Sequence, residues 1–246
     1  MKALRFTLEG KTAFFKKPEV NSYFYFTYGN IHKIALLGLF GAVLGYGGYA
    51  QMKTEGKKKK GLSPSEPEFY ERLKELNVSI IPNAEKGFFR KKIQAFNNSV
   101  GYASKEQGGN LIVKEQWLEN PSWTVYVLLD CEEAEKLAEA MMDHRAVYVP
   151  YLGKNDHYAD LKSVVICELQ SVATGQGILG SLFLKENVTQ EEDDDEMTYK
   201  YQERLPVAMD EWANSYILKT FLFTDAYVTW ENDCVYESEG KYLMFH

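Results

Sequence analysis

Residues 15–33 read FKKPEVNSYFYFTYGNIHK, and their types suit one kind of chemistry. Lys16, Lys17 and Lys33 can meet phosphates, while Tyr23, Tyr25 and Tyr28 offer flat faces on which splayed-out bases stack. Asn21 can hydrogen-bond a base edge or a sugar. Asn30 is a good cap for a helix from Ile31 to about Gly45, and His32 falls in its first turn. The unpaired backbone N–H groups at that helix start suit a phosphate. Core packing is the competing use for the aromatics, since some must face inward. Two adjacent lysines rarely both turn inward, so Lys16 and Lys17 are the stronger candidates.

Other chemistries find less support. Cys131, Cys167 and Cys234 lie far apart with no C-x-x-C, which argues against a disulfide framework or a cysteine zinc site and fits a reducing cytoplasm. No His, Cys or carboxylate group has metal-ligand spacing, so neither metal nor cofactor is expected. Residues 175–180, GQGILG, match G-x-G-x-x-G literally and follow the strand-like SVVICELQSV. A dinucleotide site would need a helix next, yet SLFLKENV reads as a strand and the acidic run EEDDDE follows. A glycine-rich turn between strands is the simpler reading.

Charge is unevenly divided. Residues 1–120 hold 19 Lys and Arg against 11 Asp and Glu; residues 121–246 hold 9 against 24, for a net −7. Such a split suits a polyanion-binding face built from the first half, or simply acidic loops that solubilise the second. Lys57 to Lys60 fall in a surface insertion, where they would add weak nonspecific attraction. Ile34 to Met52 is a nineteen-residue stretch without charge, long enough to suggest a membrane helix. Its glycines, Gly47-Gly48 included, instead end a helix near Gly45, leaving roughly 22 Å against a bilayer core of about 30 Å. Gly38, Gly41, Ala42 and Gly45 share one face, which would let the helix lie close to a sheet. The opening has no basic segment with a small-residue cleavage site, so a cytoplasmic protein is expected.

The elements that must position these residues follow from periodicity. A strand spans Ala3 to about Phe15 with a bend at Gly10, then comes the helix, then an insertion over 53–82 containing the short amphipathic helix PEFYERLKELN. FFRKKIQAF and NLIVKEQWL form a long β-hairpin, about 88–117. WTVYVLLD is a strand, Asp130 caps the helix CEEAEKLAEAMMDHR, and SVVICELQSV is a buried strand. This β-α-β-β-α-β order is an α+β, ferredoxin-like (RRM-like) arrangement over residues 1–171, with residues 172–246 as a β-rich part packed on it.

With these elements placed, GKTAFFKKPEVNSYFYFTYGNIHKIALLGLFGAVLGYGGY, residues 10–49, resembles the N-terminal signature of the Cas-five family of CRISPR-associated proteins in its type I-B, Hmari-like form. YLGKND, residues 151–156, resembles that family's Y-L-G-[RK] loop and brings in Lys154. The resemblance implies a RAMP-superfamily subunit of the Cascade surveillance complex, active in antiviral defence. It would hold the 5′ handle of CRISPR RNA and cap the backbone filament beside the backbone RAMP subunit and the large subunit, meeting target DNA only indirectly. The hairpin becomes a protruding thumb, with Arg90, Lys91 and Lys92 at its base and Tyr102 and Lys105 nearer its tip. Family members that cut the CRISPR repeat resemble one another in a tyrosine beside a Lys-His pair. Here there is no Lys-His dipeptide; His32-Lys33 is reversed, and Tyr46 stands alone after the helix. Metal-independent cleavage needs a base for the 2′-OH and an acid for the leaving oxygen. A non-catalytic, RNA-binding subunit is therefore expected, with a repeat-processing endoribonuclease as the alternative.

Overall fold

The computed structural model describes residues 1–19, 23–52, 66–97, 99, 101, 105–107, 109–190 and 197–246. Its first two-thirds run β1 (Lys2–Glu9), β2 (Thr12–Ala13), β3 (Phe24–Tyr25), α1 (Lys33–Leu44), α2 (Glu68–Leu73), β4 (Val78–Pro82), β5 (Lys91–Asn97), β6 (Ile112–Glu119), β7 (Ser122–Leu128), α3 (Glu132–Met142) and β8 (Asp160–Glu168). A four-stranded antiparallel sheet in the order β4-β7-β1-β8 forms the centre. That order, with α1 and α3 on one face, is the α+β ferredoxin-like arrangement.

Alternation in β1 sends Leu4, Phe6 and Leu8 to the helical face, where they join Leu36, Leu37 and Phe40 of α1 and Leu137 and Met141 of α3 in one core. β1 ends at Glu9 and does not bend on through Gly10, where a Cβ would lie 2.7 Å from Leu152 Cδ1 and 2.8 Å from Tyr158 O. The second strand of the core is β4, inside the stretch expected to be an insertion. It pairs with β7 from Val78↔Val127 to Pro82↔Trp123, so the insertion cannot extend to residue 82. Lys57 to Lys60 lie outside the described residues. The strand expected to be buried, β8, is instead a sheet edge with Val165 and Ile166 exposed.

Both helix caps differ from expectation. His32, not Asn30, caps α1: its backbone is extended and its Nδ1 accepts from Ala35 N at 3.2 Å. Cys131 occupies the cap of α3, while Asp130 accepts from Asn77 Nδ2 at 2.7 Å. At its other end α1 stops at Gly45, in the left-handed region at φ 83°, as the glycines foretold. Twelve residues make α1 about 18 Å long. Among the described residues, no helix is long and apolar enough to cross a membrane. The small face of α1 does not approach the sheet. Gly41 packs on α2, where a Cβ would sit 2.6 Å from Phe69 Cβ, and Gly38 faces open space.

The remaining strands are β9 (Gln170–Ser171), β10 (Thr174–Gly177), β11 (Phe183–Leu184), β12 (Thr189–Gln190), β13 (Lys200–Met209), β14 (Tyr216–Thr224), β15 (Val228–Glu231), β16 (Val235–Ser238) and β17 (Lys241–Met244). They form three small sheets, β10-β15-β12, β11-β14-β13 and β17-β16-β9. Leu182, Leu205 and Phe221 enter the same core as β1 and α1. Leu243 and Phe245 cover Ala3, Tyr126 and Leu128 on the sheet's second face. The final residue continues the central sheet: Val78 N donates to His246 O at 3.1 Å and His246 N to Val78 O at 3.0 Å. The G-x-G stretch lies within β10 and is followed by β11, not by a helix.

Candidate nucleic-acid interface

Phe15–Lys17 and Phe26–Tyr28 zip into a short ribbon, with Lys17 N donating to Phe26 O at 2.8 Å and Tyr28 N to Phe15 O at 2.9 Å. Thr27 Oγ1 seals it, accepting from Phe15 N and donating to Tyr28 O. Residue parity then separates the two lysines. Lys16 is exposed, its ammonium 4.3 Å from the centre of the Tyr25 ring. Lys17 lies across Tyr28 at 5.0 Å and bonds Glu203 of β13 at 2.6 Å. Glu203 also accepts from Gly29 N at 2.8 Å and from the Tyr201 hydroxyl.

The hairpin base meets the ribbon at this carboxylate. Lys91 opens β5 as an exposed residue; partial desolvation of its ammonium lowers its pKa, with the field of Glu203 opposing and that of Lys17 reinforcing the shift. Phe88, exposed, packs edge-on to Tyr201 at 5.0 Å. Asn30 fixes the junction: its Nδ2 donates to Gly87 O at 3.1 Å and its Oδ1 accepts from Trp123 Nε1 at 2.9 Å. Arg90 is exposed beside this cluster in sequence.

The hairpin itself is the antiparallel pair β5–β6, in register from Lys91↔Leu118 to Asn97↔Ile112, and β6 is anchored by β2 and β3. One face rests on the 151–158 loop. There Lys92 lies 5.4 Å from the Trp117 ring and His157 meets the same ring edge-on at 4.5 Å. Lys154 is held by Glu115 at 3.3 Å and Asp156 at 3.2 Å, over Phe96 at 5.0 Å. Two carboxylates offset its charge, so Lys154 serves loop packing more than phosphate capture. Burial lowers the His157 pKa, and its Nδ1 is 2.6 Å from Thr12 Oγ1. On the opposite face Ile93 and Ile112 are exposed.

Three predicted contact residues are turned away from solvent. Tyr28 is 1% exposed, paired with Phe15 in the ribbon and packed edge-on against His32. His32 is 3% exposed among Phe15, Tyr28 and Tyr216, and its imidazole takes up the first turn that was to receive a phosphate. Lys33 is half-buried, its pKa lowered by burial against the pull of Glu75 and Asp130, and belongs to neither lysine cluster. Tyr23, 81% exposed, Tyr25 and Lys105 remain accessible. Asn21 and Tyr102 lie outside the described residues.

Burial keeps His32 and His246 neutral, their pKa values pushed down to about 3. The unfolded chain protonates both near pH 6.5, so stability is unaffected above that value and is lost as pH falls toward 3. Each contributes a slope of up to about 1.4 kcal/mol per pH unit. Urea midpoints should therefore fall more steeply below about pH 6 in the native chain than in a His32→Gln variant. Equal slopes would remove His32 from the account.

The residues that sequence reasoning missed are Glu203, Phe88 and Trp117. Glu203 is 186 positions from Lys17, a separation at which no local pattern links the two. Trp117 could have been read from its place opposite Lys92 in the hairpin register. Among the described residues no group of His, Cys, Asp and Glu could hold a metal ion. Tyr46 donates its hydroxyl to Glu133, with Arg72 4.8 Å from its ring.

No family model and no curated protein matches the chain. Solved structures do. A chain of a CRISPR RNA-guided surveillance complex aligns at 12% identity over 91% of this chain and 90% of its own, with a TM-score of 0.54. The chain has the fold of CRISPR-associated proteins. A CRISPR protein from Archaeoglobus fulgidus aligns at 12% identity over 99% and 98%, TM-score 0.53. A chain of the Type III-B Cmr-beta complex bound to cognate target RNA and AMPPnP aligns at 11% identity over 93% and 86%, TM-score 0.50.

Proposed function

We propose that this protein is a non-catalytic RNA-binding subunit of a type I-B CRISPR surveillance complex, a Cas-five protein that holds the 5′ handle of the guide RNA. In that role its hairpin packs on the backbone RAMP subunit, its neighbour on the other side is the large subunit, and target DNA is met through the guide. The observation that carries the reading is the meeting of the ribbon lysines with the hairpin base. Lys17 is ion-paired to Glu203 where the hairpin base meets the ribbon through Phe88 on Tyr201 and Asn30 on Gly87, and Lys16, Arg90 and Lys91 are exposed next to these residues in sequence, on a chain of net charge −7. Cations concentrated at one place on an acidic protein suit a polyanion, and exposed Tyr23 and Phe88, with half-buried Tyr25, suit its bases. The commitment of Tyr46 to Glu133 and the burial of His32 and His157 favour binding over cleavage.

Charge reversal of Lys16 and Lys17 tests this. Fluorescence anisotropy with a handle-bearing RNA should show at least a tenfold loss of affinity at moderate salt, and a log–log salt slope shallower by about one to two. Unchanged affinity, with an unchanged thermal midpoint, would refute the RNA site. The same RNA, incubated with native protein in EDTA and run on a denaturing gel, should stay intact. A single cut would establish the endoribonuclease instead.

A further inference from the structure

α1 bears two glycines with evident structural reasons and one without. Gly45 needs its left-handed conformation, and Gly41 abuts Phe69. Gly38 lies in mid-helix, where glycine weakens a helix relative to alanine, and beyond its chain neighbours and the backbone of its own helix no atom of the described residues lies within 4 Å of the place its Cβ would occupy. The space above it is a groove of about 700 Å3, in the range of ligand sites. Ala35, Gly38 and Ala42 lie along it, and Tyr148, Tyr151 and Tyr216 contribute aromatic rings. Tyr148 and Tyr151 are 57% and 46% exposed, so their ring faces are accessible. The segment carrying Tyr148 is fixed to the end of α1, with Val147 N donating to Val43 O at 3.0 Å and Tyr148 N to Ala42 O at 2.9 Å. These aromatics are therefore held in place on the helix.

Charge decides between occupants. Among the described residues lining the groove, Lys16 is the one charged side chain and there is no Asp or Glu, although the protein as a whole is acidic. A cation beside flat aromatic walls matches a phosphodiester strand with unpaired bases. An apolar peptide would gain nothing from the lysine and would leave tyrosine hydroxyls to be desolvated.

We propose that the α1 groove receives unpaired bases of single-stranded RNA over Gly38, against its tyrosine rings, while Lys16 meets the adjoining phosphate. This rests on the RNA-binding reading above and adds to it a dependence on bases that ionic contacts alone would not produce.

The test uses the full chain, a fluorescein-labelled oligoadenylate, and an oligomer of equal length with abasic residues throughout. The native protein should bind the base-bearing strand about tenfold or more tightly than the abasic one. Gly38→Leu, which fills the groove, should bring the two affinities together by weakening the first and sparing the second. Gly38→Ala should raise the thermal midpoint by about 2–4 °C, because only helix propensity changes. Tyr148→Ala, at an exposed position, should reproduce the loss without dependence on how leucine is accommodated in the helix.

Equal affinity of the native protein for both strands would overturn the groove while leaving a salt-dependent RNA site intact. Binding of neither strand would overturn both. A Gly38→Leu and a Tyr148→Ala protein that each keep the native preference would overturn the groove.

Discussion

Alanine at position 153 should lower the thermal midpoint by about 10 °C and weaken RNA binding as well. Gly153 sits at φ 86°, where a side chain costs about 1–2 kcal/mol. Its Cβ would also fall on the Phe14 carbonyl oxygen, inside any allowed contact distance, and 3.0 Å from Phe15 Cδ1. Backbone must move to relieve this, and the backbone concerned joins the 151–158 loop to the ribbon. Phe14 N donates to Leu152 O at 3.1 Å across the same seam, and Thr12 meets His157 beside it. Losing two such hydrogen bonds adds about 1–3 kcal/mol, for a total near 3–4 kcal/mol. In a chain of this size each kcal/mol is worth about 2–4 °C. Because the ribbon carries Lys16 and Lys17, its displacement reaches the interface. Gly48→Ala is the control, since its Cβ would meet only Gln51 Oε1 at 3.6 Å. Scanning calorimetry that showed Gly153→Ala within about 2 °C of the native protein would mean the seam yields easily and has little part in positioning the lysines.

What the sequence disclosed of the fold was whatever rests on local periodicity. β1, the β5–β6 hairpin, β7 and both long helices are each amphipathic, or apolar between clear breakers, and their order already implied the central sheet. β4 escaped because VSIIP is short and covered on both faces, and much of that cover comes from the other end of the chain: Leu182 N donates to Ile80 O, and His246 brackets Val78. β8 erred in the other direction. Its apolar run suggested burial, yet as the last strand of the sheet it is covered on one side only. The caps were misassigned for a related reason. Asn30 and Asp130 have the right chemistry for a helix start, but each finds a tertiary partner, and propensity yields to it.

The candidate site divides along the same line. That Lys16 and Tyr23 face outward while Tyr28 faces inward is set partly by parity in the ribbon and partly by what covers it, since Phe26 shares the parity of Tyr28 and is exposed. Parity depends on where the ribbon starts, and Pro18 and the glycine and asparagine nearby do not fix that. As a polar residue in a first turn His32 suits an RNA contact, but here three aromatic rings surround it. The open face at Gly38 was invisible because small residues at helical spacing read equally well as close packing or as a groove floor. The neighbours decide which, and they come from positions 148–151 and 216.

Asn30→Leu should destabilise the protein by about 2–6 kcal/mol, which is the second large effect. Asn30 is fully buried and both ends of its amide are used, one by the Trp123 indole N–H and one by the Gly87 carbonyl. Leucine preserves volume, so the loss comes from two buried groups left without partners, at about 1–3 kcal/mol each. Gly87 is where the chain enters the hairpin, at φ 76°, with Phe223 packed where a Cβ would go. Releasing its carbonyl loosens the link between the core and the hairpin that carries Lys91. A double-mutant cycle with Trp123→Phe isolates the indole's share. Phenylalanine removes the N–H that leucine would strand, so the double variant should be more stable than the two single losses predict, by about 1–2 kcal/mol. Strict additivity in urea unfolding would show that the indole hydrogen bond contributes nothing of its own. Asn30 would then act through shape alone.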